Sequence, residues 1–456
     1  MDQTSTSIYR PRRPERSDLH LAVRENLELF LETYDERFLD QHGPLTSRAC
    51  RTLEKYLRCG LPAAGFARIR CGDCGHEQIL AFSCQLRGVC PSCQQKRAEI
   101  LCRFVIDEII EPVGHRQLVF VLPKHLRRPF YRDRKLLTGL CRSAVEATHA
   151  FYRAGLGRDD LRVGMVVVPQ RFGDKVNPHI HLHALATDGA FDKEGVFHPM
   201  PFDMQGDIEV LTRLFARRVL GLMVRRKRLS VRLRDEMLGW EHSGFSADGS
   251  VKVALGDYGR LKRLVRYLAR PAVSAERVSY DQASGTVTVR SSKKVQGVRP
   301  VVAQYDALTF LSLLALQVPP PGVHMVRYYG HYSVRSRAER RRRAGEKAAG
   351  VKSESPPPAS QRRLRWAQLL RQVFEVDPLR CEKCGGEMKI ISFISTAQSE
   401  VIRRILEHLG VSTVVPRAHG PPGWAVKSER MVHAGPIREE EDASQAPAEW
   451  DEWEPA

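Results

Sequence analysis

Apolar positions from Leu19 onward recur at helical spacing. Val23, Leu27, Phe30, Leu31, Tyr34 and Phe38 fall on one side of a 3.6-residue turn and predict one amphipathic helix. Arg48 to Leu57 predicts a second. From Arg116 the pattern changes to continuous apolar runs. Gln117 to Leu122 reads as a buried strand ending at Pro123, a helix follows from about Arg134 to Ala154, and Val163 to Val168 reads as the next strand. The polar turn Phe172 to Pro178 leads back into a strand at Asn177 to Ala186. Two strands joined by so short a turn argue an antiparallel pair, hence an α+β domain. Leu211 to Met223 predicts a helix. In Asp257 to Pro271, Leu261, Leu264, Val265 and Leu268 form the core face of a helix stopped by Pro271. A hairpin is expected over 276–291, turning at Ala283 to Gly285, and a helix over Tyr305 to Leu316. Near the C-terminus, Trp366, Leu369, Leu370, Val373 and Phe374 mark a helix and Met388 to Ile394 a strand. Ser395 to Gln398 reads as a capping box for a helix closing at Gly410.

Composition narrows the partners. The formal charge is +19 over 456 residues, yet Glu439 to Ala456 holds eight acidic and no basic side chains. The remaining body therefore carries 72 basic against 45 acidic residues, +27. Such an excess favours a polyanion, nucleic acid first and an acidic membrane surface second. No apolar run approaches the roughly 18 residues of a membrane span, and the first residues lack an apolar signal core. Eleven cysteines without a secretion signal read as thiols that are free or metal-bound in an intracellular protein. The divisions expected are a basic arm (1–16), a helical and zinc-binding domain (17–100), a catalytic domain (105–333), an Arg/Pro-rich linker (334–362), a C-terminal unit with one CxxC knuckle (363–412) and a disordered acidic tail (413–456).

Cys71 and Cys74, then fifteen intervening residues, then Cys90 and Cys93, match the two-knuckle spacing of a closed tetrahedral zinc site, with Gly72 and Gly75 helping the backbone curl. Cys84 and His76 are spare candidates. Arg68, Arg70, Arg87, Lys96 and Arg97 surround the module, which suits DNA holding better than catalysis. Cys381 and Cys384 make half of a second zinc site; its missing ligands are His408 or a residue from elsewhere. The run Met325 to Tyr332 is an aromatic and basic cluster suited to stacking on bases, and Arg335 to Arg343 a non-specific phosphate contact.

Two stretches carry candidate chemistry. On the strand at 177–186, His179, His181 and His183 share a face, while Ile180, Leu182, Ala184 and Leu185 fit a buried opposite side. Imidazoles two residues apart on a strand form a half-site for a divalent metal. On the later helix, Tyr267 falls off the apolar stripe, among Arg260, Arg263 and Arg270; these three and Arg266 are expected to bind DNA. Guanidiniums beside a phenol suit nucleophilic attack on a phosphodiester.

The order of these stretches resembles the HUH endonucleases, and more closely the rolling-circle transposases of the insertion-sequence-91 family. The resemblance rests on Phe82 to Cys93, Leu118 to Lys124, Asn177 to Leu185, Arg266 to Pro271, Val326 to Gly330 and Cys381 to Gly386, and covers roughly residues 20 to 410. It implies an antiparallel HUH-type sheet, with the paired metal histidines at His181 and His183 and the nucleophile at Tyr267. Founding members carry two tyrosines four residues apart; Arg263 occupies the partner position here, so the chain resembles the single-tyrosine branch. The implied activity is transesterification on single-stranded DNA at element ends. It runs through a 5′-phosphotyrosine with Mg²⁺ or Mn²⁺ as catalytic and Zn²⁺ as structural metal, in the bacterial cytoplasm at the nucleoid. Asp174 and Gln170 are candidates for the third metal ligand. A replication initiator or relaxase with the same chemistry, a metal-dependent hydrolase working without the tyrosine, or a non-catalytic zinc DNA-binding protein are the alternative readings.

Overall fold

The computed structural model describes residues 13–291, 302–320, 322–343 and 379–414. The expected helix at 366–374 and the acidic tail from residue 415 lie outside them, as do residues 1–12 of the arm.

Helix α1 (Asp18–His42) begins where the Ser17 side chain accepts the His20 amide, and it buries Leu19, Val23, Leu27, Phe30, Tyr34 and Phe38, as the spacing predicts. Helix α2 (Ser47–Leu57) packs beside it. The hairpin β1 (Phe66–Cys71) and β2 (Glu77–Ala81) then leads to α3 (Pro91–Phe104), which continues through a wider turn to Ile109. Strand β3 (His115–Val121), the short α4 (Arg128–Arg132), α5 (Arg134–Leu156), β4 (Gly164–Phe172) and β5 (Pro178–Thr187) build the centre of the chain. Asp133 caps α5 by accepting the amides of Lys135 and Leu136, and Gly157, at φ +65°, closes it.

The small hairpin β6 (Gly189–Phe191) and β7 (Phe197–Pro199) precedes α6 (Ile208–Arg225) and α7 (Val231–Gly239). Edge strands β8 (Ser246–Asp248) and β9 (Lys252–Val253) come next, then α8 (Tyr258–Leu268), β10 (Val278–Asp281), β11 (Thr286–Arg290), β12 (Val302–Asp306), α9 (Ala307–Leu316), β13 (Arg327–Gly330), α10 (Val334–Arg343), β14 (Met388–Ile394) and α11 (Ser399–His408). The helix expected from Tyr305 begins at Ala307 instead. Tyr305 is in β12, opposite Val287, and Asp306 caps the helix by accepting the Thr309 amide.

The central sheet runs β13-β4-β5-β3-β8, with β9 also on β3, and every pairing is antiparallel. Together with the flanking helices this is an α+β fold, as the antiparallel pair predicts. One face, carrying Leu118, Phe120, Met165, Val167, Ile180, Leu182 and Ala184, is sealed by α5 and α6. The other meets α8 and the end of α3 through Val166, Val168, Leu185, Leu264, Val265 and Leu268. Leu185 therefore lies on the histidine side of the sheet, as alternation from His183 requires, and not on the opposite side with Ile180.

The hairpin β10–β11 and α9 share a core with α1 and α2, where Val287, Val289, Phe310 and Leu314 meet Leu27, Phe30 and Leu53. No helix among the described residues is long and apolar enough to cross a membrane.

One expectation for the later chain changes. In the aromatic run, Tyr332 is fully buried and lies 2.7 Å from Nε2 of His115, while Tyr328 and Tyr329 sit on β13 against the core. These rings pack the fold and do not form an open stacking surface. The Arg335–Arg343 run is helical, and two of its guanidiniums are engaged at home: Arg340 reaches Glu111 (3.2 Å) and the His331 carbonyl (2.6 Å), and Arg337 lies over the Tyr328 ring.

Arg116 on β3 has a fully buried side chain, 2.9 Å from Asp188 Oδ1, and it donates to the Gly249 carbonyl. Asp203, its second acidic neighbour at 3.3 Å, is 60% exposed. Asp188→Ala is expected to leave a buried guanidinium without its closest counter-charge and to cost about 3–5 kcal/mol in urea unfolding. A loss under about 1 kcal/mol would show that Asp203 and Gly249 hold Arg116 unaided.

Candidate active site and metal centres

Alternation on β5 sends His181 and His183 to the face that α8 covers, and both are buried, at 7% and 4% exposure. His179 is half-buried at the open end of the strand. The Nε2 atoms of His181 and His183 lie 3.0 Å apart. His181 Nδ1 is 3.0 Å from both the His179 carbonyl and His179 Nδ1; with the proton on His181 Nδ1, donated to that carbonyl, Nε2 keeps its lone pair.

Burial pushes the His181 pKa down to about 4 and the His183 pKa down to about 3, the second helped by the neighbouring His181 and by the positive charge of Arg270. Both rings are therefore neutral at pH 7. Two neutral imidazole nitrogens facing each other at this distance call for a shared proton or a cation between them. The donor set fits a divalent metal.

Gln117 on β3 was not singled out by its sequence context, where it is only the polar first residue of an apolar strand. Its Nε2 lies 3.0 Å from His183 Nδ1. A half-turn of the amide would bring Oε1 to the same place, where it would accept Nδ1–H and leave the His183 Nε2 lone pair free, which is how an outer partner fixes a ligand's tautomer. Gln117→Leu is expected to weaken Mn²⁺ binding at the pair by about 10–100-fold in calorimetric titration while leaving the fold intact. Unchanged affinity would remove Gln117 from this role.

Tyr267 is on the exposed edge of α8, whose buried stripe is Leu261, Leu264, Val265 and Leu268 and whose first turn Asp257 caps by accepting the Arg260 amide. Its ring meets His183 edge to face, with centroids 5.3 Å apart and planes at 85°. The Arg270 guanidinium stands 4.7 Å above the same ring and 5.5 Å from the Phe172 ring. Tyr267 is 41% exposed, so one side of the phenol sits against the imidazole and the other is open to a substrate.

Gln170 faces His181 across the β4–β5 pairing, and its Nε2 donates to the Leu268 carbonyl (3.1 Å), tying the end of α8 to the sheet. Its Oε1 is buried without a hydrogen-bond partner. Asp174 is committed elsewhere, 3.3 Å from Arg277 and bonded to the Ser291 hydroxyl.

Of the four arginines expected to bind DNA, Arg270 alone is shown against the Tyr267 ring. Arg260 and Arg263 are exposed along α8. Arg266 is bridged to Glu99 of α3, at 2.6 and 2.8 Å, so it ties two helices together.

The cysteines correct the sequence reading. Cys71, Cys74, Cys90 and Cys93 do not form one site. Cys90 and Cys93, at the start of α3, gather with Cys59 and Cys84. Cys71 and Cys74, in the β1–β2 turn, gather with Cys381 and Cys384, and within each group all four sulfurs lie within 4.8 Å of one another. His76 is no ligand: its Nε2 lies 3.0 Å from Glu382. The reason is the β1–β2 hairpin, which carries the first knuckle away from α3 and towards β14. In the first group the sulfur separations are 3.5 Å (Cys59–Cys90), 3.7 Å (Cys59–Cys93) and 3.5 Å (Cys84–Cys93). A tetrahedral Zn²⁺ with bonds of about 2.3 Å sets sulfurs about 3.8 Å apart, so the arrangement fits structural zinc.

Comparison with known proteins follows the same division. A family described as "Transposase zinc-binding domain" matches residues 30–122, and one described as "Putative transposase" matches residues 164–340. The chain is 26% identical over 367 residues to the "Transposase for insertion sequence element IS801" of Pseudomonas savastanoi pv. phaseolicola, covering 78% of this chain and 86% of that one. It is 25% identical over 338 residues to the "Putative transposase y4qJ" of Sinorhizobium fredii (strain NBRC 101917 / NGR234), covering 67% and 80%. No solved structure matches. With the zinc-binding domain, the transposase domain and relatives aligned along most of its length, the chain belongs to the insertion-sequence-91 family of transposases.

Proposed function

We propose that this transposase nicks and rejoins single-stranded DNA through a covalent 5′-phosphotyrosine at Tyr267. The observation that carries the reading is the Tyr267 phenol lying edge-on to His183, with Arg270 above its ring. The Tyr267 oxygen attacks phosphorus, the P–O3′ bond breaks, and the phenolic proton leaves to solvent while the departing O3′ takes one up. The product is a phosphodiester to tyrosine and a free 3′-hydroxyl. Attack by a 3′-hydroxyl on the phosphotyrosine reverses the step at a new junction, so the bond energy is retained and no nucleotide cofactor is required.

Mg²⁺ or Mn²⁺ held by His181 and His183, with Gln170 Oε1 as third ligand, would supply charge neutralisation at the non-bridging phosphate oxygens. Gln170 is preferred to Asp174 because its oxygen is buried without a partner, whereas Asp174 is paired with Arg277. Arg270 stabilises the extra negative charge of the transition state. Arg263 and Arg260, about one and two turns before Tyr267, extend positive charge along α8 for the strand's backbone.

The test is incubation with labelled single-stranded element ends and Mn²⁺. The expected result is a covalent protein–DNA band that chelator suppresses, and that His183→Ala lowers by at least the roughly 10²–10³-fold that loss of one electrostatic donor costs. Strand cleavage without any covalent band would support a hydrolase. No cleavage by folded, DNA-bound protein would leave a binding protein.

A further inference from the structure

The group Cys71, Cys74, Cys381 and Cys384 joins residues about three hundred positions apart, and two of its members lie beyond both matched domains. We infer that these four thiolates hold a second structural Zn²⁺, which staples the C-terminal unit 379–414 onto the N-terminal sheet and is the more readily exchanged of two zinc ions.

The geometry is that of paired zinc knuckles. Cys71 Sγ lies 3.4 Å from Cys384 Sγ, and Cys74 Sγ lies 3.6 Å from Cys381 Sγ. These separations are close to the roughly 3.8 Å edge of a ZnS₄ tetrahedron and far beyond the roughly 2.05 Å of a disulfide. Both halves use one backbone device. The Cys71 carbonyl accepts from Gly75 N (3.2 Å) and the Cys381 carbonyl from Gly385 N (2.9 Å), with both glycines at positive φ, +71° and +76°. That conformation is open to glycine at little cost, and it turns the chain back around the sulfurs.

The two knuckles press together closely. A Cβ at Gly386 would fall 1.9 Å from Asp73 Oδ2, and Gly72 N donates to the Glu387 carbonyl (3.2 Å). Strand β14 pairs along the whole of β1, from Phe66↔Ile394 to Cys71↔Met388.

Among the described residues, the unit's apolar contacts are two small clusters, one of Ala67, Ile69, Leu80 and Met388 with Cys71 and Cys381, the other of Ala63, Phe66, Ile394, Ile402 and Leu406. Cores of this size do not secure a strand and one helix without a further constraint, and a bound metal is such a constraint. The exchange order follows from exposure. Cys74 and Cys384 are exposed, whereas in the other group Cys59, Cys90 and Cys93 are buried and Cys84 is half-buried, so a chelator reaches the staple first.

The test uses full-length protein purified without chelator. Elemental analysis should give two zinc per chain, and cobalt substitution two sets of tetrahedral thiolate bands. A chromogenic chelator should remove the metal in two phases. During the first, hydrogen exchange should rise at 66–71 and 388–394 while β3, β4 and β5 stay protected. Cys384→Ser should hold one zinc and lack the first phase. One zinc per wild-type chain, or two retained in Cys384→Ser, would overturn the site. A single release phase, or a first phase that leaves 388–394 protected, would overturn the staple's exchange order. Wild-type stoichiometry and release decide the question even where the variant fails to fold.

Discussion

Tyr267→Phe is expected to abolish covalent DNA attachment, a fall on the order of 10⁴-fold or more, while leaving the affinity for single-stranded DNA within about threefold of wild type. The substitution removes one oxygen from a side chain that is 41% exposed and whose ring contacts, the edge on His183 and the face under Arg270, phenylalanine can reproduce. The helix that carries it is held by Leu261, Leu264, Val265 and Leu268, so no packing is lost. The measurement is the yield of protein–DNA adduct against binding by anisotropy in the same preparation. A parallel fall in both would mean that the phenol acts in binding and not in bond making. An unaltered adduct would place the nucleophile elsewhere.

Cys90→Ser is the second large effect, and it acts on folding. Structural zinc contributes an apparent 10–16 kcal/mol in small zinc modules, about the whole stability of an ordinary domain, roughly 5–15 kcal/mol. Cys59, Cys90 and Cys93 sit inside the core that joins α1, α2 and α9, beside Leu53, Leu57 and Leu314. Removing one thiolate therefore leaves uncompensated sulfurs within that core and withdraws the metal from it. The variant is expected to be recovered mainly as aggregate. In any folded fraction, hydrogen exchange should be fast across 18–57 and 307–316 while α5 and α6 remain protected. Circular dichroism and exchange matching wild type would show that this cluster is dispensable.

Much of the candidate site is legible in the sequence because its signals are local. Strict alternation placed His181 and His183 on one face, and a helical period of 3.6 put Tyr267 outside the apolar stripe of its helix. What was not legible depends on contacts between distant segments. The spacing of Cys71, Cys74, Cys90 and Cys93 correctly marked metal-type thiols but not their partners, because Cys59 lacks a neighbouring cysteine and Cys381 is brought to Cys71 only by the β1–β14 pairing.

Leu185 follows the strand's alternation to the histidine side, although its apolar character matches the opposite face. Tyr305 lies in a strand two residues before the helix begins, a boundary that its aromatic side chain, at home in either element, does not mark. Gln117 gave no distinctive pattern at all. Its importance comes from a diagonal neighbour on the adjacent strand, His183. The aromatic run at 325–332 shows the opposite error, composition suggesting a surface where Tyr332 in fact fills the core.

The most direct measurement is mass-spectrometric mapping of the adduct formed on a single-stranded element end in Mn²⁺. The account predicts a DNA-modified peptide that contains Tyr267, with the phosphate on the phenolic oxygen and the released strand ending in a 3′-hydroxyl. Modification at Tyr258 or any other residue, or a released strand ending in a 3′-phosphate, would contradict it.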